Sequence, residues 1–230
     1  MAILKPPRPV PVVAALVIAG GVWLTATAAP GLGRIEGAVR LTIPTRAALA
    51  SGGYAPRTVS RPAPHPGTVS DVVVFIRDLP GAKNLPVTHT RMIQQDESFE
   101  PRVIAITRGS TVEFPNADPY FHNVFSLSSG AAFDLGRYKR GDTRSRVFTR
   151  PGLVKVYCHV HSQMSASILV LDNTFFTRPQ PDGTFDMSDV PPGSYRLSAW
   201  QERLGETQVS IHVQPGQTTQ VEINLPLGSS

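Results

Sequence analysis

A chain of 230 residues with a single cysteine cannot be held by an internal disulfide framework, and a hydrophobic content of 41% excludes a mainly disordered polymer. The formal net charge of +5 falls to +3 once Lys5 and Arg8 are set aside with the N-terminal segment, too little to argue for nucleic-acid binding. The 22 prolines and 19 glycines, set among short runs of Val, Ile and Phe, favour strands and turns over helices.

At the N-terminus, Lys5 and Arg8 precede an uncharged apolar run, Val12 to Leu24, and Ala26-Thr27-Ala28 follows as a small-residue cleavage site. Residues 1–29 therefore read as a secretory signal peptide. The run is short for a membrane span, although an uncleaved anchor is the alternative. The mature chain is expected in the periplasm. Gly33 to Leu41 then alternates apolar and polar residues, as a half-buried strand does. Residues 44–70 are rich in Pro, Ser, Gly, Ala and Arg and read as a long surface loop. Val72 to Ile76 is a continuous apolar run, the pattern of a buried strand, and 79–90 is rich in turn residues.

From Met92 onward strand and turn signals are dense. Phe99 to Ile106 alternates around Pro101, Arg108-Gly109-Ser110 is a turn, and Thr111 to Phe114 is a short strand. Asn116 to Pro119 is a polar loop before a strand from His122 to Phe125. Arg146 to Phe148 and Leu153 to Cys158 flank a turn at Pro151-Gly152, and Ser167 to Leu171 closes the set. A second block begins near Thr174. Asp182-Gly183 reads as a hairpin turn, Pro191-Pro192-Gly193 as a hard stop, and Tyr195–Ala199, Val209–Val213 and Val221–Ile223 as alternating strands. The predicted fold class is all-β.

Cys158-His159-Val160-His161-Ser162-Gln163-Met164 places a thiol, two imidazoles and a thioether within one loop between two strands. A tight loop can turn positions 158, 161 and 164 toward one point. Soft sulfur with imidazole selects copper or zinc over hard cations, and two His, one Cys and a distant Met form the ligand set of a blue-copper electron-transfer site. A second His is needed from elsewhere, and His122, at a loop-to-strand junction, is the best candidate. A lone thiol in an exported chain fits this reading. His159, next to Cys158, is expected to point away from the metal, toward the surface or beside the site. His65, His89 and His212 read as surface residues, while Glu113 and Asp118 remain open as hydrogen-bonding supports.

Residues 91–172 resemble a cupredoxin of the plastocyanin and amicyanin family. The carriers are Phe99-Glu100-Pro101, the Gly109 turn, Val112-Glu113-Phe114 before Asn116, His122-Asn123-Val124 and the Cys158 loop, whose Cys-x2-His-x2-Met spacing is that of amicyanin. The resemblance implies a Greek-key β-sandwich holding one type 1 copper ion. It makes His122, Cys158 and His161 the strong ligands and Met164 the weak axial one, with Asn123 rigidifying the site and the His161 edge as the electron port. Residues 173–230 resemble the small transthyretin-like sandwich of carboxypeptidase regulatory domains, through Asp182-Gly183-Thr184-Phe185, Val190-Pro191-Pro192-Gly193 and Tyr195-Arg196-Leu197. Gly33 to Val39 has the form of that family's opening strand. Residues 30–90 are therefore expected to complete the C-terminal sandwich around an inserted copper domain; two consecutive domains with a loose N-terminal arm are the alternative. The whole order resembles bacterial periplasmic methylamine-utilisation or plastocyanin-like proteins.

The resemblance implies a one-electron carrier and no enzyme. Copper delivery without a redox partner, or an adhesion or carbohydrate-binding role with structural copper, are the rival functions. Arg137, Lys139, Arg140, Arg144, Arg146, Arg150 and Lys155, opposed only by Asp142, form either a solvated strand face or a docking surface for an acidic redox partner near the copper site.

Overall fold

The computed structural model describes residues 31–42, 69–77, 79 and 83–226. The segment expected to be a signal peptide, most of the 44–70 loop and His65 lie outside the described residues. Within them the chain is built of strands and turns, with one short 3-10 turn at Val69–Asp71, and no helix is long and apolar enough to cross a membrane.

Two strands come first, β1 (Gly33–Thr42) and β2 (Val73–Ile76). Ten follow: β3 (His89–Arg91), β4 (Ile93–Gln95), β5 (Ser98–Glu100), β6 (Val103–Thr107), β7 (Thr111–Pro115), β8 (His122–Ser126), β9 (Phe133–Tyr138), β10 (Thr143–Val147), β11 (Gly152–Tyr157) and β12 (Ser165–Leu171). The last five are β13 (Phe176–Thr177), β14 (Thr184–Val190), β15 (Gly193–Gln201), β16 (Gly205–Val213) and β17 (Thr218–Pro226). The alternation read around Pro101 divides there into two strands, β5 and β6.

Four of the five sheets make up two sandwiches, and the fifth is the β4-β5 hairpin. β14-β1-β17 and β13-β2-β15-β16 form one sandwich, so the first two strands share sheets with the last five. β1 lies antiparallel to β14 and parallel to β17. β10-β7-β3 and β6-β12-β11-β8-β9 form the other sandwich. Its strand β3 straddles the boundary expected between residues 90 and 91 and pairs with β7.

Three apolar seams hold the layers, and side-chain alternation decides who fills each. Ile35, Val39, Val74, Ile76, Leu197 and Ile223 are among the residues between the sheets of the first sandwich. Phe99, Phe114, Val124, Val156, Ile168 and Val170 are among those filling the second. Between the sandwiches, Val73, Phe75 and Trp200 meet Val103, Leu169 and Leu171. β2 is buried at all four positions: Val74 and Ile76 point one way, Val73 and Phe75 the other. An apolar run without alternation is what a strand buried on both faces requires.

Gly37, in the middle of β1, is needed for close approach. A Cβ there would fall 2.2 Å from the Val221 carbonyl oxygen and 2.8 Å from the Phe185 ring. Gly37→Ala is expected to cost about 1–3 kcal/mol through overpacking, read as a lower denaturant midpoint at unchanged slope.

Candidate metal centre

β8 and β11 are neighbours in one sheet and approach each other at Phe125 and Tyr157. His122 opens β8 and Cys158 follows β11 directly, so both side chains sit at the same end of the second sandwich. The loop after Cys158 turns back on itself: Met164 N–H donates to the His161 carbonyl at 3.0 Å, and Cys158 N–H to the Met164 carbonyl at 3.2 Å. That closure swings His161 over the end of the core. Met164 is buried in the same apolar cluster as Cys158.

Three ligand atoms meet there. His122 Nδ1 lies 3.7 Å from Cys158 Sγ and 3.1 Å from His161 Nδ1, and the donor atoms of the three residues all lie within 4.8 Å of one another. His122 is fully buried and Cys158 nearly so, whereas the His161 side chain is 18% exposed. The residues next to the two imidazoles in sequence, Phe121 and Val160, are exposed apolar side chains. The donor set is one thiol and two ring nitrogens with a thioether residue beside it, the chemistry suited to copper or zinc.

Asp118 settles which nitrogen of His122 faces inward. Its Oδ2 lies 2.8 Å from His122 Nε2, while Asp96 N–H and Glu97 N–H donate to its two oxygens at 2.7 and 3.0 Å. Burial pulls the Asp118 carboxyl upward, but those two amides and the imidazole outweigh it and hold it below its ordinary value. An ionised carboxylate only accepts, so Nε2 carries the proton and Nδ1 presents its lone pair to Cys158. Because its folded value is depressed, Asp118 stabilises the fold fully above the unfolded carboxylate range. That contribution is lost as the pH falls through the lower, folded value.

Asn123 ties the two ligand segments together. Its Oδ1 accepts the His159 N–H at 2.7 Å and its Nδ2 donates to Asp134 Oδ1 at 3.0 Å. Behind His122, the Tyr138 hydroxyl donates to the Phe114 carbonyl at 2.8 Å, and burial pushes its pKa up. His159 turns away from the ligand atoms and packs at a tilt against Phe125, with ring centroids 3.8 Å apart and planes inclined at 41°. His159→Ala is therefore expected to leave the spectrum and potential of a metal-loaded protein unchanged, because Asn123 uses only the backbone N–H. His161→Ala should remove the site's metal signature. An absorption spectrum and a voltammogram of each variant check the pair.

The remaining candidates lie elsewhere. His89 is exposed on β3, and His212 Nδ1 pairs with the Ser194 hydroxyl at 3.0 Å. Glu113 pairs with Arg91 at 3.0 Å. Three members of the basic run have contacts within the protein. Arg144 and Arg146 on β10 lie over the Tyr138 and Phe133 rings, whereas Lys155 pairs with Glu202 of the first sandwich at 2.5 Å. The Asp96–Glu97 turn escapes sequence reasoning. It has no glycine to mark it and touches the site from 21 to 66 residues away.

No curated protein matches this chain in sequence. A family model described as polysaccharide lyase family 4, domain II, matches residues 152–221, a stretch from β11 into β17 that takes in parts of both sandwiches. Among solved structures, the chain is similar to a novel purple cupredoxin from Nitrosopumilus maritimus, at 23% identity and a TM-score of 0.33, over 36% of this chain and 99% of that one. It is similar to a copper-containing nitrite reductase from Thermus scotoductus SA-01 at 27% identity and a TM-score of 0.35, over 43% of this chain and 26% of the reductase. A reduced point mutant of amicyanin aligns at 23% identity and a TM-score of 0.34, over 35% of this chain and 80% of the amicyanin.

Proposed function

We propose that this chain is a periplasmic one-electron carrier of the blue-copper kind. One copper ion would be held by His122 Nδ1, Cys158 Sγ and His161 Nδ1, with the Met164 thioether as a weak fourth ligand. The observation that carries the reading is the convergence of one sulfur and two imidazole nitrogens at the buried end of a β-sandwich. Copper would supply a couple between Cu(I) and Cu(II).

The chain's own residues do the rest. Asp118 fixes the His122 tautomer, and Asn123 fixes the Cys158 loop against β8. Phe114, Val124 and Met164 keep water from the inner side, so the site reorganises little between oxidation states. The partly exposed His161, between exposed Phe121 and Val160, is the side from which an electron would enter and leave. The arginines of β9 and β10 suit an acidic protein partner. The export signal read at residues 1–29 supports the periplasm. Among the described residues one cluster has metal-ligand spacing, which suits a carrier with a single ion.

An optical and electron-spin-resonance spectrum of the copper-loaded protein tests the reading. An intense visible thiolate-to-copper band is the expected result. Copper that binds with only weak visible absorption, or a protein that retains zinc and does not take copper, overturns it.

A further inference from the structure

Both imidazoles of the site are approached from outside by a carboxylate. Asp118 takes the outer nitrogen of His122 at 2.8 Å. Glu97 Oε1 lies 3.8 Å from His161 Nε2, within ion-pair reach, and its Oε2 accepts a hydrogen bond from Gln163 Nε2 at 3.1 Å. These two acids are not independent. Glu97 sits in the two-residue turn between β4 and β5, where Asp96 and Glu97 have φ of 53° and 54°. Two left-handed residues in succession form the type I′ turn that suits a two-residue hairpin, a conformation that Gly and Asn fill more readily than Glu. Asp118 holds this turn against the site, because its two oxygens accept the Asp96 and Glu97 amides. Asp118 is itself 5% exposed, and its N–H donates to Asn116 Oδ1 at 2.9 Å. The turn is thus anchored by the acid that orients one imidazole, and in that place it presents an acid to the other.

We propose that Glu97 is a positioning residue for His161: the Asp96–Glu97 turn, pinned on Asp118, sets a second carboxylate against the outer edge of the second imidazole. Asp118 by a hydrogen bond, and the half-exposed Glu97 by its charge at 3.8 Å, form a clamp on the two rings, whose Nδ1 atoms face inward. The clamp rests on the copper reading above. It gives Glu97 a role beyond the four ligands, in setting the balance between the two copper oxidation states. A negative charge on the outer nitrogen makes the inner one a better donor and favours the more highly charged ion.

The test measures reduction potential and copper affinity by competition in the full chain. Glu97→Gln preserves the side-chain shape and removes the charge. It is expected to lower the preference for Cu(II) over Cu(I) about tenfold, a rise in potential of about 59 mV. Asp118→Asn should move the potential the same way and weaken copper binding about 10- to 100-fold. In the Asp118→Asn background, Glu97→Gln should have a clearly smaller effect than in the wild type, because the turn is no longer pinned. Glu113→Gln, which removes one carboxylate that pairs with Arg91, controls for net charge and should leave the potential where it is. A potential unmoved by Glu97→Gln, a shift matched by Glu113→Gln, or full additivity with Asp118→Asn each overturns the clamp while the copper reading stands. A wild-type chain that takes no copper overturns both.

Discussion

Cys158→Ser is expected to abolish the intense visible absorption of the copper-loaded protein and to weaken its hold on copper more than any other single substitution in the loop. The effect should be large because the Cys158 thiolate would be the one soft anionic ligand in the cluster. A serine hydroxyl is hard and stays protonated near neutral pH, so it supplies neither the charge nor the sulfur-to-metal transition. The fold should survive. Cys158 caps a core that also contains Phe99, Phe114, Val124, Val156 and Ile168, and a sandwich of this size does not depend on its metal as a small zinc finger does. The expected record is a colourless protein with an unchanged far-ultraviolet circular dichroism spectrum. A variant that keeps the strong visible band would show that the band does not arise from a cysteine thiolate, since Cys158 is the chain's single cysteine.

Trp200→Ala should be the most damaging substitution remote from the metal centre. Trp200 reaches out of β15 into the seam with Val73, Phe75, Val103, Leu169 and Leu171, and Lys155 Nζ lies 5.8 Å above its ring. Truncating a buried tryptophan costs about 3–5 kcal/mol through lost transfer energy and the cavity left behind. This cavity opens between two sandwiches, each with its own core, so the loss should also separate their unfolding. The wild type is expected to give coincident transitions by copper colour and by backbone circular dichroism; the variant should give two. Coincident transitions at an unshifted midpoint would mean that the seam contributes little.

Chemistry that is local along the chain is legible from residue order. The Cys158 loop packs its donors into seven residues, and ligand preference together with strand–loop–strand context is enough to single it out. β2 is legible for a similar reason: an unbroken Val-Val-Phe-Ile run has no polar face to show water. Other features depend on neighbours far along the chain. β9 has no clear pattern along the sequence because Gly136 interrupts it, and that glycine takes a φ of 71°. β3, β4 and β5 have three residues each, too few for a period to register. Asp118 can be named from its place in the loop before His122, but the three hydrogen bonds to its carboxylate come from a turn that composition does not mark and from the His122 ring. The seam between the sandwiches is invisible for a different reason. Leu169 and Leu171 carry the same apolar character as Ile168 and Val170, and only the layered packing assigns them to different seams.

The chain leaves the first sandwich after β2 and returns to it at β13, and these two short strands are hydrogen-bonded to each other, with Phe75 opposite Phe176. Asn173 and Phe175 also bond to Ile76 at the crossing. The doorway through which everything from β3 to β12 is threaded is therefore only about 5 Å wide, the spacing of adjacent strands. A unit whose two ends lie that close can be lifted out or transplanted without a long tether. Joining Ile76 to Asn173 through a tight turn would leave β1, β2 and β13–β17 with their pairings intact. Conversely, the half that carries the His122–Cys158–His161 cluster could be spliced into a hairpin of similar width that also offers an apolar face for Val103, Leu169 and Leu171.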